Sequence, residues 1–135
     1  MGERQASATN GSRARVLIAD DDPLVRDLLE AVLEANDFEL LTAADGLEAV
    51  RMAREAIPNV VVLDVMMPGA NGFDVCRTLR AEARFDETRI VMLTARTSPR
   101  DREEGIRAGA DAFFTKPFSP LDLIEAVTGG RNGDR

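Results

Sequence analysis

Apolar residues fall into five short runs along the chain, and stretches with helical periodicity lie between them. Val16-Leu17-Ile18-Ala19 is the first run and is closed by three acids, Asp20-Asp21-Asp22. Phe38 to Thr42 is the second, and Asn59-Val60-Val61-Val62-Leu63-Asp64 is the clearest. Arg89 to Thr94 and Asp111 to Thr115 complete the set. Unbroken apolar runs of this length, rich in β-branched residues, predict strands buried on both faces. Leu24, Val25, Leu28, Leu29, Val32 and Leu33 recur at helical spacing, as do Leu47, Val50, Met52 and Ile57, and then Phe73, Cys76 and Leu79. Asp22-Pro23, Ser98-Pro99 and Ser119-Pro120 each set a capping side chain before a proline that suits the first helical position. Gly109 and Gly129-Gly130 predict helix ends.

Five strands alternating with five helices predict an α/β fold, a doubly wound (βα)5 flavodoxin-like arrangement. Right-handed crossovers favour a parallel five-stranded sheet in the order 2-1-3-4-5. Residues 1–13 are polar and turn-rich and are expected to form a flexible arm. Residues 14–128 are expected to form one domain, and 129–135 a flexible tail. There is no internal repeat, and a second domain is not expected within these 135 residues.

Composition narrows the chemistry. Hydrophobic residues make up 44% of the 135-residue chain, enough for a folded core. No apolar run approaches the ~18 residues of a membrane span, and Met1 to Arg15 lacks a signal-peptide stretch, so a cytoplasmic protein with no membrane association is expected. The net charge of −7 argues against direct nucleic acid binding by the domain. With no histidine and one cysteine, Cys76, imidazole chemistry, disulfides and multi-cysteine metal sites are excluded. Cys76 itself lies on an apolar helix face and reads as packing. Lys116 is the only lysine, since every other basic residue is arginine.

In a sheet of this kind, ligands bind beyond the carboxyl ends of the strands, where the strand order reverses. Strand 1 ends in Asp20-Asp21, strand 3 in Asp64 and strand 4 in Thr94, while strand 5 runs into Lys116. Adjacent strands 1 and 3 would bring Asp20, Asp21 and Asp64 together, and three close carboxylates repel. A hard divalent cation relieves that repulsion, and Mg2+ favours a few carboxylates with water and a phosphate oxygen. Lys116 and Thr94 could then hold the remaining oxygens of a phosphoryl group passing to an aspartate. Asp22, by contrast, reads as the helix cap before Pro23.

The chain resembles the receiver domain of two-component response regulators, in its single-domain, chemotaxis-regulator-like form, across residues 15–128. The resemblance is carried by Leu17-Ile18-Ala19-Asp20-Asp21-Asp22, Leu63-Asp64-Val65-Met66-Met67-Pro68-Gly69, Met92-Leu93-Thr94-Ala95, Gly109-Ala110-Asp111-Ala112-Phe113 and Thr115-Lys116-Pro117-Phe118. It implies that Asp64 is a nucleophile taking a phosphoryl group from a phosphohistidine on a sensor histidine kinase or phosphotransfer protein. It further implies that Asp21, Asp64 and the backbone carbonyl of Met66 ligate Mg2+, and that Asp20 acts through metal-bound water. Thr94 and Lys116 would contact the phosphoryl oxygens, and Lys116-Pro117 would be a cis peptide. Thr94 and Phe113 would form the switch, altering the face of helix 4, strand 5 and helix 5 that an unidentified downstream protein reads. Phe113 lacks the hydroxyl of the tyrosine frequent at this position in the family.

The same resemblance places Met66 and Arg96 beside the path of the water that removes the phosphoryl group, where an apolar Met66 implies slow self-dephosphorylation. Small Ala95 leaves room for a phosphodonor. Arg26, Asp27, Glu30 and the Phe118-Ser119-Pro120 loop are candidates for kinase docking. The absence of a second acid at Ala112 and of an arginine in Leu123-Ile124-Glu125-Ala126 points away from a winged-helix-type dimer and toward a monomer when unphosphorylated. Such a chain is a phosphoacceptor signalling domain and not an enzyme with a separate substrate. Two alternatives stay open: a Mg2+-dependent aspartyl-phosphate phosphohydrolase, which wants a second acid where Met66 stands, and a non-phosphorylated pseudo-receiver that only binds partners.

Overall fold

The computed structural model describes residues 13–95 and 98–129. The expected arm and tail therefore lie outside the described residues, apart from Arg13 and Gly129, as does Arg96. The elements run β1 (Arg15–Ala19), α1 (Pro23–Ala35), β2 (Glu39–Ala43), α2 (Gly46–Ala56), β3 (Val60–Leu63), α3 (Gly72–Arg80), a 3-10 turn (Ala83–Phe85), β4 (Arg89–Thr94), α4 (Pro99–Ala108), β5 (Ala112–Thr115) and α5 (Pro120–Thr128). All strand pairs are parallel, in the order β2-β1-β3-β4-β5.

The strands alternate between two cores, as a period of two requires. Leu17, Val61, Leu63, Ile90, Met92 and Phe113 point to one face, where Ala49 and Ala53 of α2, Phe73, Cys76 and Leu79 of α3 and Ala108 of α4 cover them. Val16, Ile18, Val60, Val62, Val91 and Leu93 point to the other, under Leu29 and Leu33 of α1 and Leu123, Ala126 and Val127 of α5. Two helices on one face and three on the other make the sheet doubly wound.

Helix starts follow the local chemistry. Asp22 accepts from the Leu24 amide ahead of α1, and Ser98 and Ser119 form reciprocal capping boxes with Asp101 and Asp122 ahead of α4 and α5. Gly109 and Gly129 end α4 and α5 in the left-handed region, at φ 105° and 78°.

The helical stripes are narrower than the periodicity predicts. Leu24 and Leu28 of α1 are 77% and 50% exposed, and Leu47 of α2 is 74% exposed. Ile57 is not on α2 but caps it at φ 45°. Phe38 precedes β2 instead of opening it.

Candidate functional site

Register builds the site. Ala19 of β1 pairs with Leu63 of β3, so the next residue of each strand, Asp20 and Asp64, leaves the sheet at the same level. The Asp64 amide donates to the Ala19 carbonyl at 2.9 Å, and the Lys116 amide to the Thr94 carbonyl at 2.9 Å. The strand-end residues are thereby fixed by the ladder itself. Carboxylate oxygens of Asp20, Asp21 and Asp64 all lie within 4.8 Å of one another. Asp20 and Asp64 are buried, whereas Asp21 is exposed.

Lys116 lies between the two buried acids. Its Nζ donates to Asp20 Oδ2 at 2.8 Å and to Asp64 Oδ2 at 2.9 Å. The other oxygen of each carboxylate is held by a backbone amide: Asp22 N–H donates to Asp20 Oδ1 at 2.9 Å, and Met66 N–H to Asp64 Oδ1 at 3.1 Å. Both acids are thus gripped at two points, which fixes their direction. Burial pushes the Asp20 carboxyl above its ordinary value, and the Asp64 charge adds to this, against the bonds from Lys116 and the Asp22 amide. Burial opposes the Lys116 ammonium, but its bonds to Asp20 and Asp64 and their charges prevail and raise its pKa.

The loop after Asp64 is drawn tight by Gly72, whose amide donates to the Val65 carbonyl at 2.8 Å. A Cβ at this position would collide with the Asp64 carbonyl oxygen. Glycine here lets the start of α3 lie directly on the peptide that carries the acid. Thr94 is fully buried at the end of β4, next to β3 in the sheet. The Lys116-Pro117 peptide is cis.

Phe113 is buried, its ring close to the α4 backbone at Gly105 and the Arg102 guanidinium 5.2 Å from the ring centroid. The ring is therefore already packed inward. Met66 is 60% exposed and Ala95 exposed, both at the mouth of the site. Cys76 is buried with its thiol 3.3 Å from the Ala108 carbonyl, and burial pushes its pKa up to about 11, as a packing residue requires.

The structure thus gathers Asp20, Asp21, Asp64 and Lys116 at one edge and sets Thr94 beside them, while Phe113 lies one strand further out against α4. Arg26 differs from its expected place on a docking edge. It is half-buried, and its Nη1 donates to the Asp20 carbonyl at 2.6 Å. Asp27 remains exposed. The signal for Arg26 was its place one turn into α1, on the side that faces back toward the end of β1.

The donor set suits a hard cation: oxygen ligands only, with one carboxylate open to solvent. The arrangement could hold a divalent metal ion. Among the described residues, no helix is long and apolar enough to cross a membrane.

Comparison with known proteins agrees with this geometry. The family model of the response regulator receiver domain matches residues 16–128. The DNA-binding response regulator MtrA of Mycolicibacterium smegmatis is 44% identical over 115 residues, which is 85% of this chain and 49% of the relative. The chain thus spans about half the length of such relatives. The chemotaxis protein CheY4 of Vibrio cholerae superposes with a TM-score of 0.83 at 36% identity, covering 87% of this chain and 98% of that one. The receiver domain of the sensor histidine kinase PA1611 of Pseudomonas aeruginosa, which has a magnesium ion coordinated in its active site cleft, gives 0.81 at 27% identity over 87% and 97% of the two chains.

Proposed function

The chain belongs to the response regulator receiver domain family, and we propose that Asp64 is its phosphoacceptor, charged by a sensor histidine kinase or phosphotransfer protein. The observation that carries this reading is the convergence of Asp20, Asp21 and Asp64 on one sheet edge, with the Lys116 ammonium between the two buried acids. Asp21, Asp64 and the Met66 carbonyl would hold Mg2+, with Asp20 acting through a bound water. When bound, the ion neutralises charge on the transferring phosphoryl group.

The chain's own residues do the rest. An Asp64 carboxylate oxygen attacks the phosphorus as the bond to the imidazole nitrogen breaks, and the nitrogen keeps the electron pair. The two-point grip on Asp64, from Lys116 and the Met66 amide, aims the carboxylate before the donor arrives. Lys116 then pairs with the new phosphoryl oxygens, and the Thr94 hydroxyl donates to them. The displacement of Thr94 and Phe113 alters the face of α4, β5 and α5 for a downstream protein. Because Phe113 is already buried, its movement is a repacking within the core and not an inward swing from solvent.

This makes the domain a signalling element that catalyses only its own phosphorylation and dephosphorylation, in the cytoplasm, as a monomer before phosphorylation and without direct nucleic acid contact. Met66 offers no group to orient a hydrolytic water, so the phosphoryl group is long-lived. The phosphohydrolase alternative is weaker, because apolar Met66 stands where that chemistry wants a second acid.

The test is exposure to a small-molecule phosphodonor with and without Mg2+, for the wild type and Asp64→Asn, read by intact mass. A Mg2+-dependent gain of one phosphoryl group by the wild type alone supports the reading. A wild type that stays unmodified with Mg2+ and donor in excess refutes it in favour of a binding module.

A further inference from the structure

We propose that Arg26 is a positioning residue for the acid cluster: by holding the Asp20 carbonyl, its guanidinium fixes the peptide that joins Asp20 to Asp21 and sets the aim of both carboxylates. The inference rests on reading the cluster as a divalent cation site. β1 ends at Ala19, so the Asp20 carbonyl lies beyond the strand. Arg26 Nη1 reaches it at 2.6 Å, a short charge-assisted bond from a half-buried side chain.

The bond closes a small cage. The Arg26 amide donates to the Asp22 carbonyl at 3.0 Å as the first turn of α1 forms. The Asp22 amide holds Asp20 Oδ1, and the Asp22 side chain caps the Leu24 amide at 3.0 Å. Among the described residues, no hydrogen bond reaches the Asp21 carboxylate, so its direction depends on the peptide behind it. Arg26 grips that peptide and ties it to α1.

Charge and position predict opposite effects, which makes the inference testable. A guanidinium that was merely nearby would repel Mg2+, and its removal would tighten binding. A positioning guanidinium does the reverse: its removal frees the Asp20-Asp21 peptide and weakens binding. Groups that orient metal ligands from outside typically contribute roughly tenfold or more in affinity.

The experiment is calorimetric titration of the metal-free chain with MgCl2, for the wild type, Arg26→Met and Arg26→Lys, with thermal midpoints in EDTA as the control for folding. Arg26→Met keeps the aliphatic stem and removes the donor. We expect about tenfold weaker Mg2+ binding for Arg26→Met and an intermediate value for Arg26→Lys. Phosphoryl uptake by Arg26→Met should recover toward the wild-type rate at saturating Mg2+. Unchanged or tighter binding by Arg26→Met overturns the proposal, as does an Arg26→Lys no better than Arg26→Met. If Arg26→Met does not fold, Arg26→Gln, which keeps an N–H donor without the charge, takes its place and should still bind more weakly than the wild type. Unchanged or tighter binding by Arg26→Gln overturns the proposal. A wild type that binds no Mg2+ defeats the reading of the cluster itself, an outcome distinct from failure of the Arg26 role.

Discussion

Replacing Lys116 with methionine isolates the role of the ammonium in the folded state. In the native chain its side chain is 20% exposed, and those of its partners Asp20 and Asp64 are 2% and 9% exposed. Removing one member of a fully buried ion pair costs about 3–5 kcal/mol, because the remaining charge is left without compensation. An exposed pair is worth about 0–1 kcal/mol. Partial exposure of Lys116 and the amide bonds that remain on both acids place the expected loss in between, at about 2–3 kcal/mol. For a domain of this size that lowers the thermal midpoint by about 10 °C. The chain has neither tryptophan nor tyrosine, so far-UV circular dichroism in EDTA is the suitable probe. Mg2+ should then narrow the gap. At about a hundred times its dissociation constant a ligand adds about 2.7 kcal/mol, and in Lys116→Met it meets no competing ammonium. Equal midpoints for variant and wild type in EDTA would refute the counter-ion argument. So would a gap that Mg2+ leaves unchanged.

Four further outcomes follow from the same structure. Gly72→Ala should cost about 3 kcal/mol or more, since the new Cβ meets the Asp64 carbonyl and not a yielding side chain, and urea unfolding would show a lowered midpoint at unchanged slope. Asp22→Ala removes the α1 cap and should cost about 1 kcal/mol by the same measurement. For pH, the folded Asp20 carboxyl lies above its ordinary 3.8, so its contribution to stability is full below that value and is lost as pH rises through the raised one. Metal-free Asp20→Asn should therefore melt no lower than the wild type at neutral pH, and a clearly lower midpoint would contradict this. Lys116 lies above its ordinary 10.5, so its contribution persists below 10.5 and fades as pH rises through the raised value, an alkaline loss that Lys116→Met should lack.

Most of the architecture was legible because caps and strand periods are local signals. Ser98 with Asp101 and Ser119 with Asp122 are readable from spacing alone, and so is the run from Val60 to Leu63. The acid cluster was legible one step further on, because parallel order turns strand ends into neighbours. What escaped the sequence depends on surfaces and on contacts between distant segments. Leu24 and Leu28 share the period of Leu29 and Leu33, yet they lie at the margin of the stripe, and periodicity does not give its width. Phe85 is fully buried in a 3-10 turn with no apolar period around it. Arg80 bonds the carbonyls of Phe85 and Gly109 and the Asp111 carboxylate, partners that only the closed fold brings near. Arg26 looked like one more exposed helix charge, because its acceptor is a backbone carbonyl and carries no side-chain signature.

The charge balance at the sheet edge explains why these residues act as a set. Three carboxylates gather around one ammonium, the Arg26 guanidinium on the Asp20 carbonyl adds a second positive charge from outside the cluster, and the acids still outnumber these cations, with Asp21 carrying its share into solvent. Lys116 offsets part of the charge of the buried pair. A phosphoryl group arriving at Asp64 would add negative charge where repulsion is already strong, and would compete with both carboxylates for the same ammonium. On the proposed reading, a divalent cation would offset the remaining negative charge and leave Lys116 to turn toward the incoming oxygens. Metal binding and phosphorylation of Asp64 would then be linked: Mg2+ should favour the phosphorylated form, and the phosphorylated form should bind Mg2+ more tightly, by the same factor.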